Sequence, residues 1–121
     1  MRTGQGPRAA GETPSPSAPA IPLARARDLA PDKTSVREAL GRALFHIQRY
    51  EEAADEFRAV IERAPTNDYA QFCLGRCLQL LGRHGEARKP LALAACLAPG
   101  RRDYRVYRDR ARARAAEQPG G

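Results

Sequence analysis

Along residues 35–48 the apolar residues Val36, Leu40, Ala43, Leu44 and Ile47 recur at i, i+4, i+7, i+8 and i+11, and the residues between them are mostly polar. That spacing is one stripe of an amphipathic helix. Thr34 or Ser35 is placed to cap its start, with Glu38 completing a capping box. A second stripe, Ala53, Ala54, Phe57, Val60 and Ile61, predicts a helix over about 51–64 that stops before Pro65. Asp68 then reads as the cap of a third helix with Ala70, Leu74, Cys77, Leu78 and Leu81 inward. A fourth runs over about 85–98 and ends at Pro99-Gly100, with Pro90 predicting either a late start or a kink, or else a harmless place in the first turn. A fifth, over about 102–116, has only the thin stripe Tyr104, Tyr107, Ala111 and Ala115 among arginines. Leu23, Ala26 and Leu29 suggest one more helix before Pro31.

The pattern repeats. A shift of 34 residues lays Leu40-Gly41-Arg42 on Leu74-Gly75-Arg76, Leu44 on Leu78, Arg49 on Arg83, Glu52-Ala53 on Glu86-Ala87 and Ala64-Pro65 on Ala98-Pro99. Ala30-Pro31 lies one period upstream. A period of this length means stacked supersecondary units, here helical hairpins. Residues 1–21, rich in Pro and Gly and nearly free of large apolar side chains, predict a disordered arm. Residues 22–116 form the helical domain, with repeats at about 34–67 and 68–101 and a capping helix at 102–116, and 117–121 a flexible tail.

These residues resemble the tetratricopeptide repeat (TPR) family. Leu40-Gly41, Leu44, Tyr50, Ala53, Phe57 and Pro65 match its pattern in the first repeat, and Leu74-Gly75, Leu78, Ala87, Ala94 and Pro99 in the second. The resemblance implies an all-α fold of antiparallel helical hairpins stacked as a short right-handed solenoid, and a protein–protein interaction role. The departures are Arg37 and Gln71, where the family has an aromatic, and only two good repeats, whereas such stacks usually need three. Either the flanking helices supply the missing surface, or the chain pairs with itself or a partner. The carboxylate clamp of chaperone-binding members is not carried over, because its nearest equivalents are Glu38, Arg42 and Cys73.

The family's architecture also implies that the first helix of each repeat lines a groove. On that face stand Glu38, Arg42, Phe45 and Arg49, then Tyr69, Phe72, Arg76, Gln79 and Arg83. One period beyond Arg76 is Arg110, so Arg42, Arg76 and Arg110 form a ladder. Arginine forks carboxylates and the aromatics anchor, which suits an acidic, partly apolar peptide segment or a partner's helix. The competing reading pairs each arginine with a neighbouring acid, Arg42 with Glu38 one turn earlier.

Charge adds one rival. The formal charge is +7, but residues 34–99 carry nine basic and eight acidic side chains, whereas 100–121 carry seven and three. A helix crowded with Arg101, Arg102, Arg105, Arg108, Arg110, Arg112 and Arg114 could track nucleic acid or another polyanion. Asp103 and Asp109 among them, and the lack of a recognised motif, count against it.

Enzymatic chemistry finds no support. Cys73, Cys77 and Cys96 with His84 lack a zinc spacing and read as structural thiols. His46 has no orienting group or oxyanion site for a nucleophile pair with Cys77. No phosphate-binding glycine motif is present. The expectations are therefore no catalytic residue, no metal and no cofactor. Three cysteines without a secretory signal or a spanning apolar run point to the cytoplasm.

Overall fold

Every 34 residues the chain makes the same turn. The N–H of Lys33, Asn67 and Arg101 donates to the carbonyl of Ala30, Ala64 and Ala98 respectively, at 3.0–3.1 Å. Each of these three residues then caps a helix with nearly the same backbone: φ/ψ of −81/104°, −75/99° and −86/105°. The proline in each Ala-Pro step has no N–H to continue the preceding helix, which fixes where it ends.

The computed structural model describes residues 20–118 and holds six helices among them: α1 (Ala20–Leu29), α2 (Thr34–His46), α3 (Tyr50–Arg63), α4 (Asp68–Leu80), α5 (His84–Leu97) and α6 (Arg102–Ala116). Each helix packs on its neighbours in sequence, and α4 also touches α6. This is an all-α helical repeat solenoid. Residues 1–19 of the expected arm and 119–121 of the expected tail lie outside the described residues, and α1 begins inside the segment assigned to that arm.

One core runs through both hairpins. Leu40, Ala53, Phe57, Val60, Ala70, Leu78, Ala87 and Leu91 are almost wholly buried, and Ala111 of α6 joins them, while the buried Tyr104 packs with Ala94 and Ala95 in a second cluster. At the two helix crossings only glycine fits. A Cβ on Gly41 would stand 2.8 Å from the Phe57 ring, and one on Gly75 only 2.4 Å from Leu91 Cγ. The loops between paired helices require a left-handed residue, supplied by Gln48 (φ 66°) in one and Gly82 (φ 80°) in the other.

Where the family has an aromatic, a hydrogen bond does the fastening. Arg37 Nε donates to the Pro31 carbonyl at 2.9 Å, and Gln71 Nε2 to the Pro65 carbonyl at 3.0 Å. Arg105 donates to the Pro99 carbonyl one period later. Arg37 also meets the buried Glu56 at 3.0 Å, and Arg27 of α1 meets the other oxygen of the same carboxylate at 2.5 Å. The paired charges tie α1 to the first hairpin.

Three local expectations are corrected. Thr34 and Ser35 do not cap α2: Lys33 occupies that position without a side-chain bond, and Glu38 accepts instead from Asn67 Nδ2 at 3.1 Å. Asn67, not Asp68, caps α4, its Oδ1 accepting the Ala70 N–H at 3.0 Å. Asp68 accepts the Tyr104 hydroxyl at 2.9 Å. Pro90 delays nothing, since α5 starts at His84 and runs past the buried proline; the lost bond to the Glu86 carbonyl is confined to an exposed residue.

Candidate functional site

The first helix of each hairpin, α2 and α4, together with α6 encloses a cleft of about 440 Å³. Helix α2 contributes Arg42, Phe45 and His46; α4 contributes Tyr69, Phe72, Cys73 and Arg76; α6 contributes Asp103 and Tyr107. The Phe57 ring, fixed under Gly41, contributes from below. Helical spacing explains the selection: Tyr69, Phe72, Cys73 and Arg76 recur at three and four residues, so one face of α4 presents all of them.

The aromatics are braced. Phe72 stacks on Tyr104 with centroids 4.5 Å apart and meets Tyr107 edge-on at 5.7 Å. Phe45 meets Tyr50 edge-on at 5.3 Å. Burial pushes the Cys73 thiol up to about 11 and, together with its contact to Cys73, the Tyr69 hydroxyl to about 12. Both are neutral near pH 7, so neither adds a charge to those of Arg42, Arg76 and Asp103 at the cleft. The Arg101 guanidinium holds the Asp103 carboxyl below its ordinary range.

A second cleft of about 320 Å³ continues from the first, sharing Arg76 and Tyr107. It adds Gln79 and Leu80 from α4, His84 from α5, and Arg110, Ala113 and Arg114 from α6. The Arg76 and Arg110 guanidinium carbons lie 4.0 and 4.9 Å from the Tyr107 ring centroid. Gln79 links the walls, accepting from Arg76 Nη1 and donating to the Tyr107 carbonyl, both at 3.0 Å. A third cleft, of about 650 Å³, lies where α3 and α5 flank α4, around Ile61, Leu74 and Leu93.

Arg42, Phe45, Tyr69, Phe72 and Arg76 therefore line one cleft, and Arg76, Gln79 and Arg110 the next. Glu38 sits at the margin, between Asn67 and Arg42, from which it is 3.6 Å. The local ion pair and the cleft position of Arg42 thus coexist. Arg49 lines neither cleft: it occupies the N-cap of α3 and pairs with Glu52, while Arg83 pairs with Glu51 at 2.9 Å. Sequence reasoning missed Tyr107, assigned only to the stripe of the capping helix. The period signals it, since Tyr107 falls on Cys73, itself a cleft residue.

The remaining arginines of α6 and its cap are largely engaged. Arg101 pairs with Asp103, Arg108 and Arg112 with Asp109, and Arg114 with Glu117, while Arg105 bonds a carbonyl. Among the described residues no group of three or more His, Cys, Asp or Glu converges as metal ligands would. Cys73 is half-buried, Cys77 buried and Cys96 exposed, all as free thiols.

Two tetratricopeptide repeat family profiles match the chain, over residues 20–68 and 56–89. No curated protein matches it. Among solved structures, one named MamA AMB-1 superposes with a TM-score of 0.74 at 28% identity, covering 80% of this chain and 53% of its own. MamA MSR-1 superposes with a TM-score of 0.73 at 28% identity, covering 80% of this chain and 56% of its own. The chain thus spans just over half the length of these structures.

Proposed function

The chain belongs to the tetratricopeptide repeat family, and from that premise we propose that it is a non-enzymatic protein–protein interaction scaffold. It docks a peptide or helix of a protein partner in the cleft between α2, α4 and α6. The observation that carries this reading is the lining of that cleft: Phe45, Tyr69, Phe72 and Tyr107 at its wall, with Arg42 and Arg76 beside them. Braced aromatics give anchor area at little entropic cost, and guanidiniums orient an acidic neighbour of the anchor. The partner segment is accordingly apolar with acidic flanks. Three free thiols favour the reducing cytoplasm as its location. Among the described residues no helix is long and apolar enough to cross a membrane.

Fluorescence anisotropy with labelled peptides, apolar–acidic and apolar–basic, tests this against wild type and Arg42→Ala/Arg76→Ala. Apolar–acidic peptides bind wild type and weaken about tenfold or more in the variant, roughly 1.4 kcal/mol. Equal, weak binding of both peptides by both proteins sinks the proposal.

A further inference from the structure

The second cleft differs from the first in charge. Arg76, Arg110 and Arg114 line it and no carboxylate does, whereas the lining of the first includes Asp103, and its Arg42 pairs with Glu38. Like charges on one small wall repel, and the fold offsets this only in part. Arg114 leans to Glu117 at 3.5 Å. Arg76 and Arg110 have no carboxylate within ion-pair distance among the described residues, and both rest on the Tyr107 ring. The ring face holds a cation in place without neutralising it. Arg76 keeps all but one of its donors free, because the bond to Gln79 uses only Nη1. Behind them His84 is only 8% exposed, and its buried Nδ1 has no hydrogen-bond partner.

We infer that this cleft is an anion subsite that takes a carboxylate or phosphoryl group of the docked segment, held by Arg76, Arg110 and Arg114. For the source of the anion this rests on the groove reading above. Guanidinium forks match the paired oxygens of either group, and the Gln79 and Tyr107 contacts fix them beforehand, so little freedom is lost on binding. Arg76 and Tyr107 belong to both clefts, so the apolar anchor and the anionic group are near neighbours on the ligand. The groove then reads a segment directionally, apolar side chain toward α2 and acid toward the end of α6.

NMR of the arginine Nε–Hε signals in the full chain tests this with three probes. These are inorganic phosphate, a doubly capped peptide of one Phe followed by three Glu, and the same peptide with phosphoserine replacing the Glu residues. Capping removes any chain-end carboxylate. The Arg76, Arg110 and Arg114 signals shift saturably, and Arg110→Gln weakens each probe at least about tenfold. Arg112→Gln, the same charge change at an exposed site outside the cleft, weakens them less than about twofold. Tighter binding of the phosphoserine peptide assigns the subsite to phosphoryl groups, and equal binding assigns it to carboxylates. Unsaturable shifts of all arginines together, or equal losses in the two variants, overturn the inference. Saturable phosphate binding without peptide binding keeps the subsite and sinks the groove reading. Peptide binding sensitive to Arg42→Ala but indifferent to Arg110→Gln does the reverse.

Discussion

At the crossing of the first hairpin Gly41 lies against the ring of Phe57; at the same place in the second, Gly75 lies against the branched end of Leu91. The backbone barely registers the change. The second helices start from Arg49 and Arg83 at φ/ψ of −93/70° and −92/67°, and end at Ala64 and Ala98 at −137/73° and −132/72°. Other positions diverge further. Buried Glu56, clasped by Arg27 and Arg37, corresponds to buried Pro90, and left-handed Gln48 to left-handed Gly82. Small-against-large complementarity and turn geometry set the hairpin, and many side chains satisfy them.

Removing the large partner breaks this most. Phe57→Ala should cost about 3–5 kcal/mol and Leu91→Ala about 2–5, read by urea denaturation, because both side chains are wholly buried. Costs below about 1 kcal/mol in either would show that the crossing is not what holds the hairpin.

Filling the small side comes next. Gly75→Ala is expected to cost about 1–3 kcal/mol and Gly41→Ala less, since the new Cβ meets the Leu91 branch point at 2.4 Å but the tip of the Phe57 ring at 2.8 Å. In a thermal-unfolding cycle, Gly75→Ala/Leu91→Ala should cost less than the sum of its parts. Simple additivity would contradict the contact.

The turns give a smaller effect of opposite sign. Gln48→Gly should stabilise by about 0.5–1 kcal/mol, because glycine tolerates φ 66°, while Gly82→Ala destabilises by about 1. Equal melting temperatures for Gln48→Gly and wild type would mean that the left-handed residue carries no strain.

The thiols, all in the second hairpin, sharpen the comparison last. Burial pushes Cys73 to about 11 and Cys77 to about 12, from an ordinary value of 9.0. A raised folded-state value contributes stability that is complete below the unfolded value and lost as pH rises through the folded one. Stability should therefore fall modestly between pH 9 and 11, and Cys73→Ala/Cys77→Ala should flatten that slope. At pH 8 the exposed Cys96 reacts first with an alkylating agent, followed by mass spectrometry. Equal labelling of all three would contradict the burial.

Much of the fold is legible in the chain because the period repeats the physical constraints themselves. Gly41 and Gly75, Ala53 and Ala87, and the Ala-Pro steps recur where helices cross or stop. The ladder Arg42, Arg76, Arg110 follows from the same arithmetic, and two of its members reach each neighbouring cleft. Caps were less legible: Asn67 and Asp68 are adjacent and both suit a helix start, and only the position of Tyr104 gives Asp68 another partner. Arg49 shared the groove spacing but sits past the end of α2, where the chain has already turned.

The sequence by itself determined the helical hairpins, their period and their crossings, because these depend on residue size and spacing along one chain. The partnerships of the polar groups were decided by tertiary structure alone. Glu38 turns to Asn67, Arg37 and Arg27 close on Glu56, and Arg76 and Arg110 both rest on Tyr107. Each charged side chain has several acceptable partners within reach, and only stacking the hairpins selects one.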